Sequence, residues 1–319
     1  MNNIKVTGIG GGTGLSTLFR GLRNEDIDIS GIISVTDDGG SSGRLREGFG
    51  ILPPGDFRNC LVALSEAEPL LKKLFQHRFD GDNHISGHSF GNLFILAMEK
   101  ITGNFEAALE ESCKILNVKG KLIPSTLDQI NLEALMNDGS HIIGESRIQE
   151  NSSGIKNINL FPKKATPNPK SIEIIESSDF IILGPGSLYT SIIPNFLVSG
   201  IVDAIHKSKA KKILICNVAT QLSETDNFNA ENHFREIQKY TDRLNIDYFV
   251  VNSKLDSLGD DFPTSSVVKF GNLEGLGAEI IKKDLMNNSF KGHHDSDKPV
   301  SYTHLRAHET LRYRLCRVL

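Results

Sequence analysis

The chain has no tryptophan, and aromatic residues fill only 7% of its 319 positions, so no segment offers an aromatic platform for stacking a planar ring. Its four cysteines, Cys60, Cys113, Cys216 and Cys316, are far apart and form no CxxC pair. That spacing argues against a disulfide framework and against a zinc ribbon, and the thiols read as small buried hydrophobes. Basic charge is also lacking: the formal net charge is −4, which gives no electrostatic footprint for nucleic acid. No stretch approaches the ~20 apolar residues of a membrane span. The opening MNNIKVTGIGGG lacks the basic-then-apolar run of a secretory signal. A cytoplasmic location is the resulting expectation.

Hydrophobic residues make up 39% of the chain and the mean hydropathy is −0.19, as in an ordinary globular protein. A prior of about 150 residues per domain allows two domains or one large α/β unit. The 29 glycines are clustered rather than scattered, and the clusters mark where the chain turns.

Ile4–Ile9 reads as a strand, GGGTG turns the chain into a helix over Leu15–Leu22, and Ile27–Val35 is a second strand. This β–glycine loop–α–β order opens a doubly wound parallel sheet. Thr36–Asp56 is rich in glycine and serine and shows no regular period. A structureless loop of about 20 residues inside a compact domain is usually functional. Apolar residues at three- and four-residue spacing predict helices over Phe57–Ser65, Pro69–His77, Ser89–Ile101 and Phe105–Leu116. From Lys121 to Phe161 the pattern alternates, and Asn137-Asp138-Gly139 between Asn131–Met136 and His141–Ile148 signals a hairpin. Ser178–Leu183, Lys211–Val218, Ile246–Val251 and a short Ser265–Phe270 read as further strands. The final Ser301–Leu319 turns arginine-rich and differs in composition from the body; it reads either as a basic C-terminal tail or as an end foreign to the fold, the second being favoured, and is given no function.

The polar loops fall at strand ends. Gly10-Gly11-Gly12-Thr13-Gly14 would let backbone N–H groups approach a phosphate at a helix N-terminus. It is neither a Walker A loop nor a full GxGxxG, because Leu15 stands where the third glycine belongs. Tight strand–helix packing is the competing explanation for the glycines. Asp37 and Asp38 after the second strand suit Mg²⁺, a ribose or a base edge, and Ser41, Ser42 and Arg44 suit an anion. Asp56 reads equally as the N-cap of the following helix or as a carboxylate facing Asp37 and Asp38. His88 and Asn92 open another helix, where His88 can donate to phosphate or simply pack. Gly186, Ser187 and Thr190 form a second phosphate-cradle candidate, and Asn217, Thr220 and Gln221 can read a base or sugar. Several such loops on one sheet edge imply an extended ligand, such as a nucleotide diphosphate with an attached group. No serine or cysteine sits with an evident base and orienting acid, so nucleophilic catalysis has no support.

In order and spacing, GGGTGLSTLFRGL, VTDDGGSSGRLR, PPGDFRNCLVAL, GHSFGNLF and GPGSLYTSIIPNFLV resemble the YvcK-type gluconeogenesis factors of the CofD-like superfamily, alongside 2-phospho-L-lactate transferase. The resemblance runs over residues 4–295. It implies a modified Rossmann-type, mostly parallel α/β fold over residues 1–299, with a helical insert near 57–117 and a hairpin lobe near 121–161. The basic tail 300–319 stays unmatched. It also implies a cytoplasmic regulator that binds a nucleotide sugar of the UDP-N-acetylglucosamine type and is needed for cell shape on gluconeogenic carbon. Regulatory protein partners in envelope synthesis and self-association would go with that role. The transferase relatives imply an alternative: a Mg-dependent enzyme moving a phospholactyl-type group from a nucleotide diphosphate donor to a deazaflavin. There Asp37, Asp38 and Asp56 would be the catalytic and metal-holding candidates. By motif, the binding residues carried over are Gly10 to Gly14, Asp37 to Arg44, Asp56, His88, Asn92, Gly186, Ser187, Asn217 and Thr220. One departure is Leu222, where the family usually has proline. The shortage of aromatic residues to stack a deazaflavin favours the regulator.

Overall fold

In the computed structural model, residues 3–259 and 264–296 are described; the basic tail lies outside them. Among the described residues the chain forms strands β1 (Ile4–Gly10), β2 (Ile27–Ile33), β3 (Lys121–Pro124), β4 (Asn131–Met136), β5 (His141–Ile143), β6 (Ile155–Phe161), β7 (Phe180–Leu183), β8 (Lys211–Ile215), β9 (Tyr248–Asn252) and β10 (Glu279–Lys283). The helices before β3 are α1 (Gly12–Leu22), α2 (Gly40–Phe49), α3 (Gly55–Leu64), α4 (Pro69–Gln76), α5 (Phe90–Thr102) and α6 (Phe105–Ile115). Later come α7 (Glu145–Glu150), α8 (Pro169–Ser177), α9 (Ile193–Leu197), α10 (Ile201–Lys207) and α11 (Ala230–Tyr240).

Seven strands form one sheet in the order β10-β9-β8-β7-β1-β2-β3, and every neighbouring pair is parallel. The order reverses between β1 and β7. Right-handed crossovers therefore put the helix after β1 and the helices after β7 on opposite faces. The fold is a Rossmann-like, doubly wound α/β sheet, as the sequence predicts. No single helix among the described residues is long and apolar enough to cross a membrane.

The central strands are buried on both faces, so β7 reads as an unbroken apolar FIIL. Gly8 and Gly31 are register partners on β1 and β2. A Cβ on Gly8 would stand 2.9 Å from the Phe19 ring and one on Gly31 only 2.8 Å. The missing side chains thus make the slot that lets α1 press its fully buried Phe19 against the sheet. Phe19→Ala would cost about 3–5 kcal/mol.

Four sequence readings need correction. The Thr36–Asp56 loop contains α2; its glycines hide the helical period, yet Gly43 is needed because a Cβ there would lie 2.0 Å from the Asp38 carbonyl oxygen. The Lys121 strand joins the large sheet beside β2, and the lobe is a three-stranded antiparallel sheet, β5-β4-β6. Its edge strand β5 ends at Ile143 rather than Ile148, because Gly144 at φ +107° turns the chain into α7. Ser265–Phe270 makes only a single bridge, Val267 to Ala219, and the sheet edge is β10 instead.

Candidate functional site at the strand switch point

The loops following β1, β2, β7 and β8 emerge at the carboxyl edge of the sheet, where the strand order reverses and ligands of this fold class bind. They enclose a cleft of about 440 Å³. Gly11, Gly12, Thr13 and Gly14 form one wall, Gly186, Ser187 and Ser191 a second, and Asn217 to Gln221 a third. Asp37, Asp56 and Glu145 line the floor.

The two glycine loops touch through backbone. A Cβ on Gly14 would stand 2.4 Å from the Pro185 carbonyl oxygen, and one on Gly11 2.6 Å from Asp56 Oδ2. Gly186 takes φ +153°, and its N–H donates to Asn217 Oδ1 at 3.3 Å. Gln221 Nε2 donates to Ser187 Oγ at 2.6 Å, tying the third wall to the second. The glycines thus serve tight loop packing and at the same time line the cleft. Thr220 is locked from both sides by Ser266, which accepts its N–H at 2.8 Å and donates to its Oγ1 at 2.9 Å. Leu222 is exposed, and the turn there is closed without proline by Gln221 N–H on Thr225 Oγ1 at 2.9 Å.

The floor concentrates negative charge. Asp56 is not the N-cap of α3, which is Pro54; it sits in the first turn facing the Gly12 N–H. Burial and the neighbouring Asp37 push its carboxyl up to about 7, against the opposing pull of the Gly12 N–H and Arg58. Glu145 is raised well above the usual carboxylate range by burial and then by Asp37, Asp56, Glu224 and Asp38. Behind the second wall, burial pushes Glu224 up to about 7, while bonds from Thr190, the Tyr189 N–H and Gln149 oppose the shift.

Of the residues singled out in sequence, Gly11, Gly12, Thr13, Gly14, Asp37, Asp56, Gly186, Ser187, Asn217, Thr220 and Gln221 line this cleft. The others lie elsewhere. The Gly10 carbonyl accepts from Ser34 N–H and Asn195 Nδ2. Asp38 turns away and accepts the Ser146 N–H at 2.8 Å, holding the start of α7. Thr190 donates to Glu224 at 3.3 Å. Ser42 Oγ accepts the Gly55 N–H at 3.2 Å. Ser41, Arg44, His88 and Asn92 gather between α2 and α5. Sequence reading missed Glu145, Ser191, Ser265 and the Gly292–His294 segment that also line the cleft. Glu145 left no signal, because it is brought in by the lobe rather than by a strand end of the large sheet.

Among the described residues no group of three or more His, Cys, Asp or Glu side chains is arranged to hold a metal ion. A hard divalent cation held by one or two carboxylates and completed by ligand phosphates needs fewer. Asp37 and Asp56 fit that mode and Asp38 does not.

The sequence profile of the family described as 2-phospho-L-lactate transferase CofD matches residues 6–286. A gluconeogenesis factor of Bacillus subtilis (strain 168) is 44% identical over 93% of this chain and 96% of its own length. One from Halalkalibacterium halodurans is 50% identical over 75% of this chain and 74% of its own. A crystal structure of a UPF0052 family member from Bacillus halodurans superposes with a TM-score of 0.89 at 42% identity, covering 93% of this chain and 97% of that one.

Proposed function

Because this chain belongs to the CofD family, we propose that its switch-point cleft binds a nucleotide sugar of the UDP-N-acetylglucosamine type. In this reading the protein is a cytoplasmic regulator of cell shape during gluconeogenic growth, acting on protein partners in envelope synthesis. The observation that carries the reading is the meeting of two glycine loops beside a wall of amides. Gly11–Gly14 and Gly186–Ser187 receive the diphosphate with backbone N–H groups. Asn217 and Gln221 supply the amide donors and acceptors suited to a base or ribose. The relatives' shared name, gluconeogenesis factor, agrees with the metabolic setting.

The acidic floor favours a second reading, a transferase acting on a nucleotide diphosphate donor. A divalent cation bound with the ligand would neutralise developing charge on the transferring phosphoryl group. Asp37 and Asp56 would hold it, and the glycine loops would fix the diphosphate in line.

Calorimetric titration with UDP-N-acetylglucosamine, UDP-glucose, GDP and NAD, each with and without Mg²⁺, tests both. Preferred binding of the UDP-sugars without product formation is the expected result. Preference for GDP with a strict Mg²⁺ requirement replaces the regulator with the transferase, and binding of none removes the nucleotide reading.

A further inference from the structure

Arg44, Arg78 and His88 converge on one short loop just outside the acidic floor. Arg44 Nη2 donates to the Ser86 carbonyl at 2.8 Å, and Arg78 Nη1 donates to the adjacent Gly87 carbonyl. The two guanidinium groups therefore approach neighbouring peptide units of the same loop. Both lie close enough to His88 to disfavour charge on its ring, and Arg78 acts likewise on Arg58. Among the described residues neither Arg44 nor Arg78 has a carboxylate within ion-pair distance. Both side chains are exposed.

The base of the cluster is buried and incompletely satisfied. Asn92 Nδ2 donates to Ser41 Oγ at 3.0 Å, and Ser41 Oγ is paired with His88 Nδ1 at 2.9 Å. Arg58 is 8% exposed and Asn92 1%, yet Arg58 Nε and Asn92 Oδ1 have no hydrogen-bond partner. A buried donor left unpaired costs about 1–3 kcal/mol. Uncompensated basic side chains beside a buried unpaired donor, Arg58 Nε, make a receptor for negative charge, and Arg forks match carboxylate and phosphate geometry; the unpaired Asn92 Oδ1 is an acceptor and adds nothing to it.

We propose that the rim formed by Arg44, Arg78 and His88 binds an oxyanion, a carboxylate or a phosphate, at a subsite separate from the glycine-loop cradle. It deepens the functional reading, on which only the nucleotide-borne case rests. Asp37 directly precedes α2, which carries Arg44, and α3 carries both Asp56 and Arg58. The oxyanion is either the far end of the nucleotide ligand, as in a sugar bearing a carboxylate, or a small anion held beside it.

The test titrates inorganic phosphate into the full chain carrying Thr13→Glu, which sets a carboxylate against the cradle and closes it to phosphate. Phosphate is expected to bind this variant. Adding Arg78→Gln weakens that binding at least tenfold, whereas Arg78→Lys, which keeps the charge but not the fork, weakens it by less than Arg78→Gln does. If Arg78→Gln lowers the thermal midpoint sharply, Arg44→Gln takes its place in the same comparison. No phosphate binding to the Thr13→Glu chain, or binding indifferent to both arginine changes, overturns the subsite. In the unaltered chain, UDP-glucuronate binding tenfold tighter than UDP-glucose, with the advantage lost in Arg78→Gln, identifies a nucleotide-borne oxyanion. Equal affinities with phosphate still bound identify a separate anion. Failure of both UDP-sugars to bind, with phosphate binding intact, overturns the functional reading and leaves the rim standing.

Discussion

At the amino edge of the large sheet, Asp179 accepts the Lys5 N–H at 2.8 Å. Asp247 there takes both Lys211 Nζ at 2.6 Å and the Lys212 N–H at 2.9 Å. At the carboxyl edge, Asp37, Asp56 and Glu145 share one cleft, and no described cation forms an ion pair with any of them. The amino edge also holds the larger concavity, about 910 Å³, but Lys170 bridges Glu106 and Glu110 on its wall. Size is therefore the wrong guide to the site. Charge that the fold neutralises for itself serves the fold. Charge that it leaves facing other charge of the same sign is destabilising, and it raises the carboxyls of Asp56 and Glu145.

The comparison breaks most sharply at the glycine wall. Thr13→Glu should weaken nucleotide-sugar binding at least 100-fold, about 2.7 kcal/mol, by calorimetry; affinity within threefold of the unaltered chain would remove the cradle. The acidic floor comes next. Asp56 and Glu224 both rise to about 7 in the folded chain, so between about pH 4 and 7 the folded state holds protons that the unfolded state has released. The ligand-free protein should thus lose stability as pH rises through that window. Urea unfolding at pH 5 and pH 8 should show the fall, and Asp56→Asn should reduce it, with Glu224 and Glu145 carrying the remainder.

Smaller effects separate the two adjacent aspartates. Asp38→Ala should destabilise the chain by about 0.5–2 kcal/mol, as loss of a helix-start acceptor does, with any Mg²⁺ dependence of binding retained. Asp37→Ala should remove that dependence with little change in thermal midpoint. The smallest effect belongs to the amino edge: Lys170→Met, which breaks a partly exposed pair, should shift stability by no more than about 1 kcal/mol in a thermal melt.

How much was legible follows the same division. β1, the glycine loop, α1 and β2 could be read to within three residues at their ends, because strand period, turn glycines and helix period succeed one another without conflict. Ser89 was placed at the start of its helix and is its N-cap, accepting the Asn92 N–H at 3.3 Å. α2 was not legible, since Gly40, Gly43 and Gly48 lower helix propensity, and packing on the Asp38 backbone accounts for Gly43 alone. β10 was missed because Glu279 and Lys282-Lys283 mark an exposed edge, where burial does not enforce an apolar pattern. Residue chemistry alone also failed to separate ligand-facing groups from internal ones. Thr190, Asn92 and Asp38 have the right functional groups, but each is turned towards a protein partner.

The closure of Gly14 on Pro185 carries a consequence for biosynthesis. Lys5 bonds to Asp179, 174 residues further on, and β1 cannot gain its β7 neighbour until that distant segment exists. While the chain is being made, the first glycine loop leaves the ribosome long before the wall it packs against. A nascent protein thus carries half of a cradle and three-sevenths of its sheet, with the flank of β1 open to wrong pairing. The switch-point cleft is consequently a late product of synthesis, formed when the two halves meet. A chain stalled between β3 and β7 presents an open strand edge rather than a partly assembled cleft.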